Sequence, residues 1–221
     1  MPEIELFEAM QTCRTLRRLR SDPVPEDLLR KVLTAATWAP SGGNRQPWRF
    51  LVVRDPARKH QLREWYLPIW RNFSQAYSRG LERLPPAARG PHTRMLAAAD
   101  YLAEHFHEAP VVIVVCVHIP DLAITDAGLD RPSVVGGASI YPAVQNLILA
   151  CRAVGLGAAL TTLLCQKEPE VRALLGIPED WATCAHLPVG YPQGKGHGPV
   201  KRHSVARVAY LDHWEQPLFV E

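Results

Sequence analysis

The chain has 221 residues, 47% apolar and 21% charged, which excludes a mini-protein and a disordered chain and leaves ample volume for a core. Its formal charge of +3 is too modest for a general polyanion binder, yet 20 of its 25 basic residues are arginine. Arg14, Arg17, Arg18 and Arg20 crowd into one short stretch near the start.

The first residues, with Pro2, Glu3, Glu5 and Glu8, have the wrong charge and polarity for a secretory signal, so no export is expected. From Asp27 to Ala39 the residues Leu28, Leu29, Val32, Leu33, Ala36 and Trp38 recur at helical spacing, and Pro40 ends the helix they predict. Pro23 and Pro25 sit before its first turn, where a missing N–H costs little. Trp48 to Val53 reads as a strand, and Val111 to His118 as a stronger, buried one. The aliphatic run Val111 to Val117 falls far short of the roughly 20 residues a membrane helix needs, so no span is expected.

Between those strands lie Trp65, Tyr66, Trp70, Phe73 and Tyr77, three prolines, and a helical pattern through Met95, Leu96, Ala99, Leu102 and Phe106. This stretch reads as a mobile cover, or as aromatics packed on the core. Ala138 to Val154 predicts a helix buried on most faces and closed at Gly155. Gly157 to Leu164 then reads as a strand, Glu170 to Leu175 as a short helix closed by Gly176, and Ala182 to Val189 as a last strand. The irregular alternation points to an α+β sandwich, and no Gly-x-Gly-x-x-Gly turn marks a Rossmann site. Cys13, Cys116, Cys151, Cys165 and Cys184 are odd in number and form no Cys-x-x-Cys pair, which fits a reducing, cytoplasmic setting.

Three polar clusters interrupt the apolar patterning. Arg14, Thr15 and Arg17 place two guanidinium forks and a hydroxyl within four residues, a set suited to a phosphate; a solvated basic face has the same composition. An arginine-rich nucleic-acid surface would need a binding motif that the chain lacks. Ala39 to Trp48 combines Ser41, Gly42, Gly43, Asn44 and Gln46 between two prolines, where glycines admit a close ligand and the side chains offer donors and acceptors to a planar heterocycle. The third cluster is split between Thr161 with Thr162 and Lys201 with Arg202; paired threonines are also ordinary strand formers.

Together these segments resemble the FMN-dependent nitroreductase family. Its Arg-Arg-Ser-x-Arg opening corresponds to Cys13, Arg14, Thr15, Leu16 and Arg17; Pro23, Val24 and Leu29 follow its next motif. Its Ala-Pro-Ser-x-x-Asn-x-Gln-Pro-Trp loop is matched from Ala39 to Trp48 at every defined position. The stretches from Ala143 to Leu147, Gly155 to Gly157 and Pro188 to Pro192 are similar to its central helix and strand exit.

The resemblance implies one nitroreductase-like domain over 1–221, with a variable cover at about 65–131 and a tail at about 205–221. It implies a three-layer α/β/α sandwich with a mixed, mainly antiparallel sheet, assembled as an intertwined homodimer with FMN at the interface. Arg14, Thr15, Arg17 and Arg202, with Lys201 nearby, would hold the phosphate and ribityl chain. Ser41, Gly42 and Asn44 would come from the partner subunit, while Leu160, Thr161 and Thr162 would line the ring's other edge. Cys13 departs from the usual arginine and puts one phosphate contact in doubt. The implied activity is ping-pong hydride transfer from NAD(P)H through FMN to a nitroaromatic, a quinone or a similar acceptor, with no protein acid assigned and no metal. Reductive dehalogenation, desaturation, or FMN storage with little turnover would use the same cradle.

Overall fold

The computed structural model describes residues 4–219. Its centre is β2 (Val111–His118), whose first seven residues are all buried. Side chains alternate along a strand, so Val111, Ile113, Val115 and Val117 enter one apolar layer while Val112, Val114 and Cys116 enter the other. That double burial explains the unbroken aliphatic run.

β1 (Trp48–Val53) pairs with β2 from Trp48↔Val117 to Val53↔Val112, and β4 (Trp181–Gly190) lies on its other side. With β3 (Gly157–Ala158) the order is β1-β2-β4-β3. The α+β sandwich and the mainly antiparallel sheet both stand: each of these pairings is antiparallel. In β4, Ala185 faces Val115 and Thr183 faces Cys116, leaving Cys184 as the extra residue of a β-bulge. Both Cys184 and Ala185 therefore turn toward the same layer as Leu187 and Val189.

The strand expected over Gly157 to Leu164 is far shorter. Beyond Ala158 it keeps only an Ala159 N–H to Pro188 carbonyl bond of 3.3 Å and an isolated Thr161↔His186 bridge, then coils into a 3-10 turn at Leu163–Lys167. Pro188 has no N–H to return to Ala159, so the ladder is interrupted from the neighbouring strand.

On one face pack α2 (Glu26–Thr37), through Leu29, Val32 and Ala36, and α5 (Tyr141–Ala153), through Ala143, Val144, Leu147 and Cys151. The other face holds α3 (Pro56–Leu81), through Leu62, Tyr66, Leu67 and Trp70, and α4 (Pro86–Glu104), through Leu96, Ala99, Leu102 and Ala103. α3 starts cleanly because Asp55 accepts the Arg58 N–H at 2.8 Å and Pro56 fills the first turn. The cover is thus a helical hairpin, and none of residues 71–95 is buried. Two short helices, α1 (Leu6–Thr12) and α6 (Glu168–Leu175), complete the described part; α6 ends on Gly176 at φ 69°, a left-handed stop.

Gly190 closes the sheet where β4 leaves it. A Cβ there would stand 2.8 Å from Pro110 Cδ and 3.3 Å from the Arg20 carbonyl oxygen, neither of which can swing away. Gly190→Ala should lower stability by about 1–3 kcal/mol, measured by urea unfolding at neutral pH.

Candidate functional site

From Cys13 to Arg20 the chain runs extended along the β3 edge. The Leu16 N–H reaches the Ala158 carbonyl at 3.0 Å, the Arg20 N–H reaches Tyr191 at 2.8 Å, and the Gln193 N–H reaches Arg18 at 3.0 Å. Gly157 makes the close approach possible, since a Cβ there would meet Leu16 Cδ1 at 2.8 Å.

The strip's arginines then part company. Arg14 donates Nε and Nη2 to the Pro199 carbonyl at 3.2 and 2.8 Å, and its backbone N–H donates to His197 Nδ1 at 3.3 Å. His197 Nε2 lies 2.8 Å from the Leu156 carbonyl, and burial lowers its pKa, so a neutral ring with Nε2 protonated satisfies both contacts. The Gly198 and Val200 N–H groups bond to Thr12 and Gln11 at 3.0 and 2.9 Å. This strap brings Lys201 and Arg202 to the neighbourhood of Arg14; Arg202 Nη1 donates to the Lys201 carbonyl at 2.8 Å.

Arg17 faces the other way. It is half-buried beside Tyr66, burial lowers its pKa, and no side chain or carbonyl among the described residues accepts from its guanidinium. Burial raises the pKa of Tyr66, whose polar neighbours are the Thr161 hydroxyl and Arg17. Arg18 instead lies 3.9 Å above the Tyr101 ring, and Arg20 pairs with Asp22 at 3.1 Å. Thr15 is exposed. Cys13 turns inward toward the Ile148 carbonyl at 3.8 Å, and burial pushes its thiol pKa up, so it does not replace an arginine at the strip's surface.

The paired threonines also divide. Thr161 is buried, exchanges both backbone bonds with His186 at 3.0 and 2.9 Å, and accepts the Leu163 N–H at 3.3 Å. Leu160 and Thr162 stay exposed beside it.

The Ser41 loop lies elsewhere. Ser41 Oγ accepts the Gln46 N–H at 3.0 Å, the Gly42 N–H donates to Ser139 Oγ at 3.0 Å, and Gly43, Asn44 and Gln46 take φ values of 57°, 52° and 50°. Ser139 sits just before α5, whereas Arg152 near the helix's far end donates to Thr12 at 2.9 Å. The 13 residues of α5 therefore separate the loop from the Arg14 strip by about 20 Å. Within one chain, Arg14, Thr15, Arg17, Leu160 to Thr162 and the 201–202 strap share the β3 edge, and Ser41, Gly42 and Asn44 do not join them.

The loop is anchored by His118, which the sequence reading left without a role. Its Nδ1 is 2.6 Å from Asp121 and its Nε2 is 3.0 Å from Asp180, Arg45 reaches Asp121 at 3.7 Å, and the His118 N–H bonds to Pro47 at 2.8 Å. The His-x-x-Asp spacing at a strand end was the available signal. The hydrogen bond to Asp121, then that to Asp180, raises the imidazole pKa above its ordinary 6.5. A raised folded value gives stability that is fully present below the unfolded value and is lost as pH rises through the folded one. Melting temperature should therefore fall over that alkaline step in the wild type, and His118→Gln should flatten it.

Among the described residues no group of three or more His, Cys, Asp or Glu is placed to hold a metal, and no helix is long and apolar enough to cross a membrane. The model of the Nitroreductase family matches residues 11–191. The chain is 31% identical over 234 residues to an NADH dehydrogenase of Thermus thermophilus, covering 94% of this chain and 96% of that one. It is 32% identical over 189 residues to 5,6-dimethylbenzimidazole synthase of Rhodospirillum rubrum, covering 81% and 78%. A crystal structure of oxidized iodotyrosine deiodinase bound to FMN and 3-iodo-L-tyrosine superposes with a TM-score of 0.67 at 26% identity, covering 90% of this chain and 96% of that one.

Proposed function

The chain belongs to the nitroreductase family of flavin oxidoreductases, and on that premise we propose that it binds FMN and carries electrons from NADH or NADPH to an electron-poor aromatic or quinone acceptor. The observation that carries this reading is Arg17, a half-buried guanidinium with no acceptor from the described residues. None of its nitrogens is sealed from solvent, so an unpaired guanidinium in partly desolvated surroundings stands open to an electron-rich group from outside the chain. A flavin's polar ring edge fits that position, and its phosphate fits the Arg14 fork with Thr15 and the Lys201–Arg202 strap.

Bound FMN would supply a reversible two-electron carrier. In this reading Arg17 offsets the negative charge of the reduced ring, Leu160 and Thr162 present an apolar wall and a hydroxyl to it, and the buried Thr161 fixes the segment through its bridge with His186. Ser41, Gly42 and Asn44 complete the site from a second copy of the chain. Two features support that assembly: the α5-long gap between loop and strip, and the apolar surface of Phe7 and Trp38, exposed by 74% and 76%. The outer edge of β1 also has no strand beside it among the described residues. Five free cysteines fit a reducing cytoplasm.

The test is FMN uptake by fluorescence titration, followed by anaerobic mixing with NADH and with NADPH. Quenching on uptake and bleaching of the flavin by at least one donor are expected; a protein that takes up no FMN sinks the reading. The likeness to the deiodinase favours a second outcome on the same cradle, reductive dehalogenation. Release of halide from a halophenol by the reduced protein, with nitroaromatics left intact, would select it.

A further inference from the structure

The cationic surplus of the chain is concentrated on one feature. Residues 71–95, the far half of the α3–α4 hairpin, carry Arg71, Arg79, Arg83, Arg89 and Arg94 against the single acid Glu82, a net +4. The whole chain is +3, so everything else together is −1. None of these 25 residues is buried.

The hairpin is nevertheless ordered along its inner seam. The Tyr77 hydroxyl meets His92 Nδ1 at 2.8 Å, Phe73 stacks on Tyr77 at 6.4 Å, and Arg89 donates to the Leu84 and Glu82 carbonyls, each at 2.8 Å. The remaining four arginines are exposed, and none is paired with a carboxylate among the described residues. Arg71 and Arg79 sit on α3, Arg83 in the turn and Arg94 on α4, spread along the arm, so they act through the field they create rather than by gripping one ligand.

The position of the hairpin gives that field a target. It leaves the core after Trp70, one turn or about 6 Å beyond Tyr66, the residue beside Arg17 and Thr161. From there α3 continues 11 residues, about 16 Å. We propose that this arm steers multiply charged anionic electron donors, phosphorylated nicotinamide dinucleotides, toward the flavin site. The proposal rests on the reading of that site given above. A concentrated charge beside a site raises the encounter rate of an oppositely charged partner by about 10- to 1,000-fold, and salt removes the gain. The donor that arrives gives up a hydride, two electrons with one proton, and leaves as the oxidised pyridinium.

The experiment compares NADPH with the uncharged donor 1-benzyl-1,4-dihydronicotinamide, using FMN-loaded protein and anaerobic stopped flow. Between about 0.01 M and 0.15 M ionic strength the screening length shrinks from about 30 Å to about 8 Å. Over that range the second-order rate constant for NADPH should fall about tenfold or more, while that for the uncharged donor stays within about twofold. Combining Arg71→Gln, Arg79→Gln, Arg83→Gln and Arg94→Gln takes the arm from +4 to 0; it should largely remove the salt dependence for NADPH, both in rate and in equilibrium binding of NADP+, and leave the uncharged donor and the melting temperature unchanged.

If the flavin is reduced by both donors but the quadruple variant keeps the wild-type salt dependence, the proposal fails and the flavin reading stands. Salt-dependent retention of duplex DNA with unaltered donor kinetics overturns it in favour of a nucleic-acid arm. A flavin that neither donor reduces overturns the nicotinamide reading and the proposal together.

Discussion

Acidification from pH 6.5 toward 4 should remove about 3 kcal/mol of stability through His186 alone. The ring is 0% exposed, neither nitrogen has a hydrogen-bond partner among the described residues, and burial pulls its pKa down to about 4. In the unfolded chain the imidazole regains its ordinary value near 6.5. Between those values the unfolded state binds the proton and the folded state refuses it, so stability is complete above about 6.5 and declines as pH falls. Urea unfolding of the wild type and of His186→Leu at pH 7 and pH 5 separates this loss from that of the carboxylates, which both proteins share. The variant should show the shallower decline; parallel declines would refute the assignment.

Arg14→Ala should weaken FMN binding by about 10- to 100-fold and leave riboflavin nearly unaffected. Hydrogen bonds to a charged group contribute about 1.5–3 kcal/mol, and the Arg14 fork, held 2.8 Å from the Pro199 carbonyl beside the Lys201–Arg202 strap, is placed to meet a phosphate. Arg17→Ala should weaken both ligands alike, because Arg17 lies with Tyr66 and Thr161 at the proposed ring end. Fluorescence titrations of the two variants with both flavins give four affinities. Equal losses for FMN and riboflavin in Arg14→Ala would remove it from the phosphate.

The division of Arg14 from Arg17 marks the limit of what the sequence could tell. Two arginines three apart suit one face of a helix, but residues 13–20 are extended, where a spacing of three sends side chains to opposite sides. The strip is extended because it bonds to β3 and to the segment after β4, partners about 140 to 180 positions away that no local pattern announces. β1 and β2 were legible because aromatic and β-branched residues mark them locally, in β2 as an unbroken aliphatic run buried on both faces.

The strand after Gly157 was overestimated because its interruption comes from Pro188 on another strand. α3 was missed because it runs through Pro68 and presents aromatics that read equally as a cover. The loop from Ser41 to Gln46 was recognised as special, and the positive φ values at Gly43, Asn44 and Gln46 give the reason; that it stands an α5-length from the strip could be seen only in three dimensions.

The bulge in β4 has a consequence for how the chain tolerates changes of length. Cys184 is supernumerary: its loss would bring Thr183 and Ala185 into regular succession against Cys116 and Val115, and no other β4 side chain would change sides. A one-residue deletion within β2 has no spare position to absorb it and would turn the rest of that strand inside out. The central layer should thus accept a shortened β4 at a single place, where the cost is the carbonyl that the Tyr141 hydroxyl now holds at 3.2 Å and the thiol contact to the Val115 carbonyl at 3.2 Å.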